Sequence, residues 1–461
     1  MRRIMKKSDN KVFLNLVLTL ALPVALQSML QASFGIIDQI MIGQLGSVSV
    51  AGVGLAGKFA SIFNVIVSAV SGIAGIMIAQ YIGQENKPEV RRSFNVNLGL
   101  TLIIAIIFTF VCVCFPEFIM GLYTEDVATI AEAASYLRIF VLTFLPLAAA
   151  TIISTVFRCM EKAKLPLYAS IFSAVLNTVL NYILIFGRFG APKMGVKGAA
   201  IASVAAQCVN FLIMFVVLVS RDNVIKKDKS ISYSDIGSFN TVQYLAMLSP
   251  ALFSETMWSL GENVYAMIYG HMGTDSMAAM TLINPIQGLL IGALSGLASA
   301  AAIIIGKRLG AGDYDDAYNS GKKLIKYGLI ASVILSVVVL LTAGFYVRIY
   351  NVSDEVKSIT VSILFVFAIM APVKVINMIL GGGIIRSGGK TQYVMMIDLI
   401  GTWCFGVPLG LLSSRVLKLS IPYVYFILSL EECVRMIIGL VVMKKRVWMN
   451  RLEAGNNIDG N

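Results

Sequence analysis

From Val12 to Ile37 the chain runs without one charged side chain, and the residue that ends the run is an aspartate, Asp38. A helix needs about 20 apolar residues to cross a hydrocarbon core of about 30 Å, so a run of this kind commits the chain to a membrane. Comparable runs recur, among them Leu98 to Cys114 and Ile330 to Phe345. They are unbroken rather than alternating, which excludes a transmembrane β-barrel. Apolar residues make up 57% and charged residues 13% of the chain, against about 45–50% and about 25% in soluble domains. The mean hydropathy is +0.82. A soluble enzyme, a disordered chain and a disulfide scaffold are all excluded.

Twelve hydrophobic segments are predicted, at 13–41, 51–81, 94–117, 129–156, 167–187, 198–220, 242–270, 277–306, 321–344, 357–385, 392–413 and 420–443. Several exceed the length a bilayer requires, which implies tilt or extension beyond it. The basic start (Arg2, Arg3, Lys6, Lys7, Lys11) followed by an apolar run resembles a signal peptide. The run is long and lacks a clear cleavage site, so it reads as the first retained span.

Lys and Arg set the orientation. With the N-terminus inside, 26 basic residues fall on the cytoplasmic side and seven outside. The positive-inside rule then places both termini in the cytoplasm. The net charge of +12 is thus largely a topology signal. No clustered basic face with readout residues accompanies it, so a nucleic-acid partner is not expected.

The longest polar connection, 221–241, separates six spans from six. It reads as a cytoplasmic linker between an N-lobe, 1–220, and a C-lobe, 242–461. An internal repeat supports the division. At an offset of 227, Pro23 meets Pro250, Gly43 meets Gly270, Gly46 meets Gly273, Ser49 meets Ser276, Ala51 meets Ala278 and Gly83 meets Gly310. At 228, Arg158 meets Arg386 and Lys162 meets Lys390. Six spans per lobe is an even number, so both lobes enter from the same side. They are then related by a pseudo-twofold axis along the membrane normal. The expected fold is all-α: a polytopic membrane protein of twelve transmembrane helices in two six-helix lobes.

Six cysteines lie mostly inside apolar runs, without metal-site or disulfide spacing. The one histidine, His271, excludes a multi-histidine centre. Gly389-Lys390-Thr391 is the nearest approach to a Walker motif, but the glycine required five residues earlier is Ile384. Neither a cofactor nor a metal is expected, and the short loops lack clustered catalytic groups, so no enzyme is expected either.

Three motifs carry a family likeness. The first is Pro23…Asp38-Gln-Ile-Met-Ile-Gly43-Gln-Leu-Gly46…Ala51, with its repeat opening the second lobe. The second is Asn177-Thr-Val-Leu-Asn181-Tyr-Ile-Leu-Ile-Phe-Gly187, followed by Gly195-Val-Lys-Gly198. The third is Arg386-Ser-Gly-Gly389-Lys. In order, spacing and twofold recurrence the chain resembles the multidrug and toxic compound extrusion (MATE) family of cation-coupled exporters. The likeness covers nearly all twelve spans. It implies a secondary antiporter that exports organic cations or amphiphilic drugs in exchange for protons or sodium by alternating access. It further implies a multi-pass protein of the cytoplasmic (inner) membrane, acting as a monomer on a small-molecule substrate within the lipid bilayer. Flippases of lipid-linked precursors share the superfamily and stand as the alternative, since a fold alone does not select a substrate.

Asp38 is the sharpest single residue, because an aspartate at a helix centre costs about 2.5–3.5 kcal/mol on insertion scales. Such residues face a cavity and handle ions or substrate. The resemblance implies that Asp38 is a proton or cation site. Gln27 and Gln31 share its helical face by spacing. Asn177 and Asn181, at i and i+4, are placed beside Asp38 by the resemblance. Part of the family has an aspartate at the position of Asn181; an amide does not titrate, so the role left is hydrogen bonding to Asp38. In the seventh span, Glu255 matches a functional acid of the family, which implies a second cation-coupling or proton-binding site. Trp258 and Glu262 follow it, the first as an aromatic wall that can stack a cation. Lys374, two residues after Pro372 in the tenth span, is expected near Glu255. Arg158 and Arg386 read as gates or caps at the cytoplasmic ends of spans. Glu431 and Glu432 point about 100° apart, so at least one needs a partner that the spacing does not name.

Overall fold

The computed structural model describes residues 10–220, 240–350 and 352–454, and among them every regular element is a helix. The basic residues Arg2, Arg3, Lys6 and Lys7 and most of the predicted linker, 221–239, lie outside the described residues. In the first half, α1 (Asn10–Gly43), α2 (Ser47–Gly83) and α3 (Lys87–Cys114) are followed by the short α4 (Pro116–Gly121). Helices α5 (Val127–Phe140) and α6 (Phe144–Cys159) join through a single 3₁₀ turn into one span, and α7 (Lys164–Phe186) and α8 (Val196–Ser220) complete the half. In the second half come α9 (Thr241–His271), α10 (Thr274–Gly310), α11 (Tyr314–Arg348) and α12 (Asp354–Asn377). Then α13 (Thr391–Leu399) and α14 (Val407–Leu411) form one span, and α15 (Ile421–Lys445) is the last. These are the twelve predicted spans.

Ten of the long helical segments are long and apolar enough to cross a bilayer. The other two, α9 and α15, carry Glu255 and Glu262, and Glu431, Glu432 and Arg435. Large apolar side chains face outward along the apolar helices, including Phe110, Phe118, Leu341 and Phe345. In water such a surface would aggregate; in lipid it is the solvated one.

Helix starts follow capping chemistry. Asn86, Asp126, Asn240 and Ser353 each accept the backbone N–H three residues on, at 3.0–3.3 Å. Three stretches were not foreseen from the sequence: Met378–Ile385, Ile400–Gly406 and Leu412–Val416 wind as π-helix. Wide turns of this type concentrate at functional sites.

The described chain forms two compact units. One comprises 26–78 and 86–220; the other comprises 10–25, 79–85 and 240–453. The first unit packs around small and aromatic residues. Ala56, Ala60, Ala133 and Ala148 are buried, which lets backbones close up where lipid supplies no hydrophobic drive between helices. Phe63 stacks on Phe144 at 4.1 Å. The glycine motif after α7 has a steric origin. Gly187 ends the helix in left-handed backbone at φ 67°, and Gly198 lets α8 lie on the Leu184 carbonyl, where a Cβ would be 2.7 Å away.

In the second unit the repeated pair Gly83 and Gly310 gains a physical reason. A Cβ at Gly83 would overlap the Lys307 backbone, and a Cβ at Gly310 would overlap the Gln80 backbone. Lys307 is itself 227 residues beyond Gln80. The last turns of α2 and α10 therefore cross reciprocally, each repeat copy seating its glycine on the other.

Candidate functional site

In the first unit, Asp38 is half-buried on α1 and meets α7. Asn181, 1% exposed, donates from Nδ2 to Asp38 Oδ1 at 2.7 Å. The Asn177 amide, turned with its nitrogen to the carboxylate, lies 3.1 and 3.2 Å from the two oxygens. Among the described residues no Lys or Arg forms an ion pair with Asp38. The carboxyl is held by amides alone, so it can gain or lose a proton without stranding a cation.

Gln27 departs from expectation. It shares a face with Asp38, but eleven residues of helix separate them by about 16 Å. Gln27 instead donates to Ser170 Oγ at 2.8 Å and accepts from Arg158 Nη2 at 2.9 Å. Arg158 is therefore an interhelical clamp rather than a cap. Gln31 is exposed and joins neither group. The pairs Gln27–Ser170 and Asp38–Asn181 are both 143 residues apart, so α1 and α7 run side by side in one direction and in register.

The second unit repeats this arrangement with charges. Arg386 donates to Glu255 Oε1 at 3.2 Å, and Ser254 donates to Asp398 Oδ2. One amide, Gln27, does in the first unit what Ser254 and Glu255 share in the second. Here too the helices run in parallel: Met247 meets Thr391 and Ser254 meets Asp398 at a separation of 144 residues. Within the π-turn at Ile400–Gly406, Trp403 Nε1 donates to the Met257 carbonyl at a separation of 146.

That π-turn also makes room for a buried charge network centred on Arg435. A Cβ at Gly401 would strike the Arg435 side chain, and one at Gly406 would strike the Tyr265 hydroxyl and Glu431. Arg435 is 7% exposed. It lies 3.4 Å from Glu431 and 3.8 Å from Asp398, and it donates to Thr402 Oγ1. Tyr265 donates to Glu431. The partner that Glu431 required is thus its own neighbour one turn on. An arginine four residues after a glutamate in an apolar helix was the available signal.

Lys374 does not pair with Glu255. It lies 3.9 Å from Glu432, whose carboxylate also accepts from Asn377 Nδ2 at 2.7 Å. The guanidinium of Arg386 occupies the place beside Glu255 that was expected for the ammonium. Lys374 and Glu432 border a cavity of about 280 Å³, with Glu262, Tyr265, Tyr269 and Tyr425 in its wall. Gln287 orients the Tyr425 hydroxyl at 2.7 Å. Trp258 is 44% exposed and is not part of that wall; the wall's aromatic surface is three tyrosines and Phe367 instead. The wall of this cavity carries Glu262, Glu431 and Glu432 against Lys374. The balance is negative, and tyrosine faces with Met277 and Met280 beside acids suit a cation of variable shape.

The MatE family model matches residues 23–183 and 250–412, two copies beginning 227 residues apart like Pro23 and Pro250. The chain is 25% identical over 432 residues to the probable multidrug resistance protein YoeA of Bacillus subtilis (strain 168), covering 90% of each. It is 23% identical to multidrug resistance protein MdtK of Yersinia enterocolitica, covering 86% of each. Its fold matches a solved variant of the Vibrio cholerae MATE transporter VcmN with a TM-score of 0.87 at 17% identity, over 96% of this chain and 98% of that one. A MATE structure in complex with MaL6 matches with a TM-score of 0.86 at 18% identity, over 96% and 97%. A family model that spans both halves of the chain, on a twelve-helix fold shared with solved MATE structures, means that this protein belongs to the MatE family of multi-pass membrane transporters.

Proposed function

We propose that the protein exports organic cations or amphiphilic drugs from the cytoplasm by antiport, with protons, or sodium, as the coupling ion. It works as a monomer in the cytoplasmic membrane with both termini inside, and catalyses no covalent chemistry. The observation that carries this reading is Asp38: a carboxyl within an apolar span, held by Asn181 at 2.7 Å and lacking a basic partner among the described residues. Protonation there removes a charge and changes what Asn177 and Asn181 can donate to. A ligand shifts a conformational equilibrium only by binding its states differently, and a group that alternates between charged and neutral does that.

The tyrosine-walled cavity supports an organic cation as substrate. Glu262 and Glu432 supply negative charge, while Lys374 limits it and orients the acids. Glu255 acts through Arg386 as a neutralised pair. The gradient supplies the energy, about 2.3 kcal/mol per charge per 100 mV of membrane potential.

The test is efflux of a fluorescent organic cation in inverted vesicles, with proton and sodium gradients imposed separately, for wild type and Asp38→Asn. Proton-driven transport lost in the variant supports the reading. Sodium-driven transport moves the coupling ion. If neither gradient drives any tested cation, the exporter reading is wrong and a lipid-linked precursor becomes the next substrate to assay.

A further inference from the structure

After α15 the chain does not trail away. Arg446 takes left-handed backbone at φ 57° and turns it back. It is fastened there by Asp315 at 2.8 Å and by the Tyr318 ring at 4.4 Å. Trp448 is fully buried and Leu452 is 3% exposed. Between and beyond these anchors, the tail backbone is read by the last turn of α2. Gln80 Nε2 donates to the carbonyls of Asn450 at 3.0 Å and Ser387 at 2.8 Å, and Gln80 Oε1 accepts from Leu452 N–H at 2.8 Å. Gln84 donates to the Leu452 carbonyl at 2.8 Å, and Tyr81 to that of Glu453 at 3.2 Å.

Gln80 is completely buried. A buried amide without partners costs several kcal/mol in an apolar setting, so the tail and the Ser387 carbonyl are what make this position tolerable. The loop after the tenth span is shaped to admit the tail. A Cβ at Gly388 would overlap the Trp448 carbonyl, and one at Gly389 would lie 3.0 Å from Leu452. These four hydrogen bonds to α2 all use tail backbone atoms, while the tail side chains that hold it are Arg446, Trp448 and Leu452.

Helix α2 is unbroken from Ser47 to Gly83, yet its residues 47–78 belong to one compact unit and 79–85 to the other. The tail grips the part that lies in the second unit. We propose that residues 446–453 form a latch on the end of α2, which keeps residues 79–85 seated in the second unit and is released once in each transport cycle. The proposal rests on the alternating-access reading, but part of its test does not.

The test uses the purified full chain carrying Gln84→Cys and Glu453→Cys, whose position 453 is exposed, joined by a short cleavable bis-maleimide, with each single cysteine and the unlinked double variant as controls. Hydrogen exchange is the first readout and needs no transport. Closing the latch covalently lowers exchange of residues 80–85 below wild type, and cleaving the linker restores it. Gln80→Leu raises exchange of 80–85 and 447–453 about tenfold while leaving 127–159 unchanged. Unchanged exchange in the linked protein, or a uniform rise in Gln80→Leu, overturns the latch and leaves the tail a static part of the fold. Efflux is the second readout: the linked protein retains binding of tetraphenylphosphonium but does not transport it until the linker is cut. Transport at the unlinked rate overturns the proposal. Failure of wild type to transport tells against the exporter reading instead, and the exchange result still decides the latch.

Discussion

Arg386 closes on Glu255 at 3.2 Å, and 228 residues earlier in the chain Arg158 closes on Gln27 at 2.9 Å. Both pairs are separated by 131 residues. The same clamp is thus built twice, once with a carboxylate and once with an amide. Each clamp joins an arginine to its neighbour's side chain, and only the second has a carboxylate as the acceptor.

This duplication predicts unequal effects of two substitutions. Glu255→Gln recreates the pair that the first unit uses, so melting in detergent stays near wild type. Arg386→Met leaves a half-buried carboxylate without its donor and lowers stability by about 2 kcal/mol. Equal melting temperatures for the two variants would contradict the symmetry argument.

Asn181→Leu removes the shortest donor to Asp38 while keeping the helix and its volume. Gradient-driven efflux falls about tenfold, as expected for loss of a charge-assisted hydrogen bond. Equilibrium binding of the fluorescent cation, measured without a gradient, is unchanged. A parallel loss of binding would move Asn181 from the coupling group to the substrate site.

Arg435 compensates two acids, Asp398 and Glu431, in the interior of the second unit. Arg435→Met strands both and destabilises the protein by about 3–5 kcal/mol. Adding Glu431→Gln recovers part of that loss, because one of the stranded charges is gone. Thermal unfolding of the single and double variants checks this; strict additivity would show that the groups do not interact.

Outside the membrane, Asp126 caps α5. The Thr129 hydroxyl and backbone N–H donate to it and hold its carboxyl below the usual carboxylate range. A depressed folded-state value means that the stabilisation is present above the unfolded value and is lost as pH falls through the folded one. Wild type therefore loses stability relative to Asp126→Asn below about pH 4, and the gap is constant at neutral pH. Melting curves from pH 3 to 7 read the difference.

Much of this protein was legible without coordinates. All twelve spans lie where hydropathy put them, because in lipid the backbone must satisfy itself within each helix, leaving a local and additive signal. The repeat was legible as well, and Gly83 with Gly310 shows why: a position where no Cβ fits leaves a mark in the sequence. Asp38 stood out for the same reason, as a charge in an uncharged run.

Pairing was not legible. Helical phase put Gln27 on the face of Asp38 but said nothing of which neighbour each would meet, and Gln27 went to Arg158. Lys374 was matched to the wrong acid, since Arg386 reaches Glu255 first. The role of Arg435 is not readable from its own helix, because its environment is made by a π-turn and two glycines on another span. The grip of the tail on Gln80 runs through backbone atoms, which no side-chain pattern announces. Length, apolarity and missing Cβ atoms are properties of a residue and its own helix, so the sequence alone determined the spans and the repeat. Which charge neutralises which depends on distances between helices, and those exist only once the chain has packed.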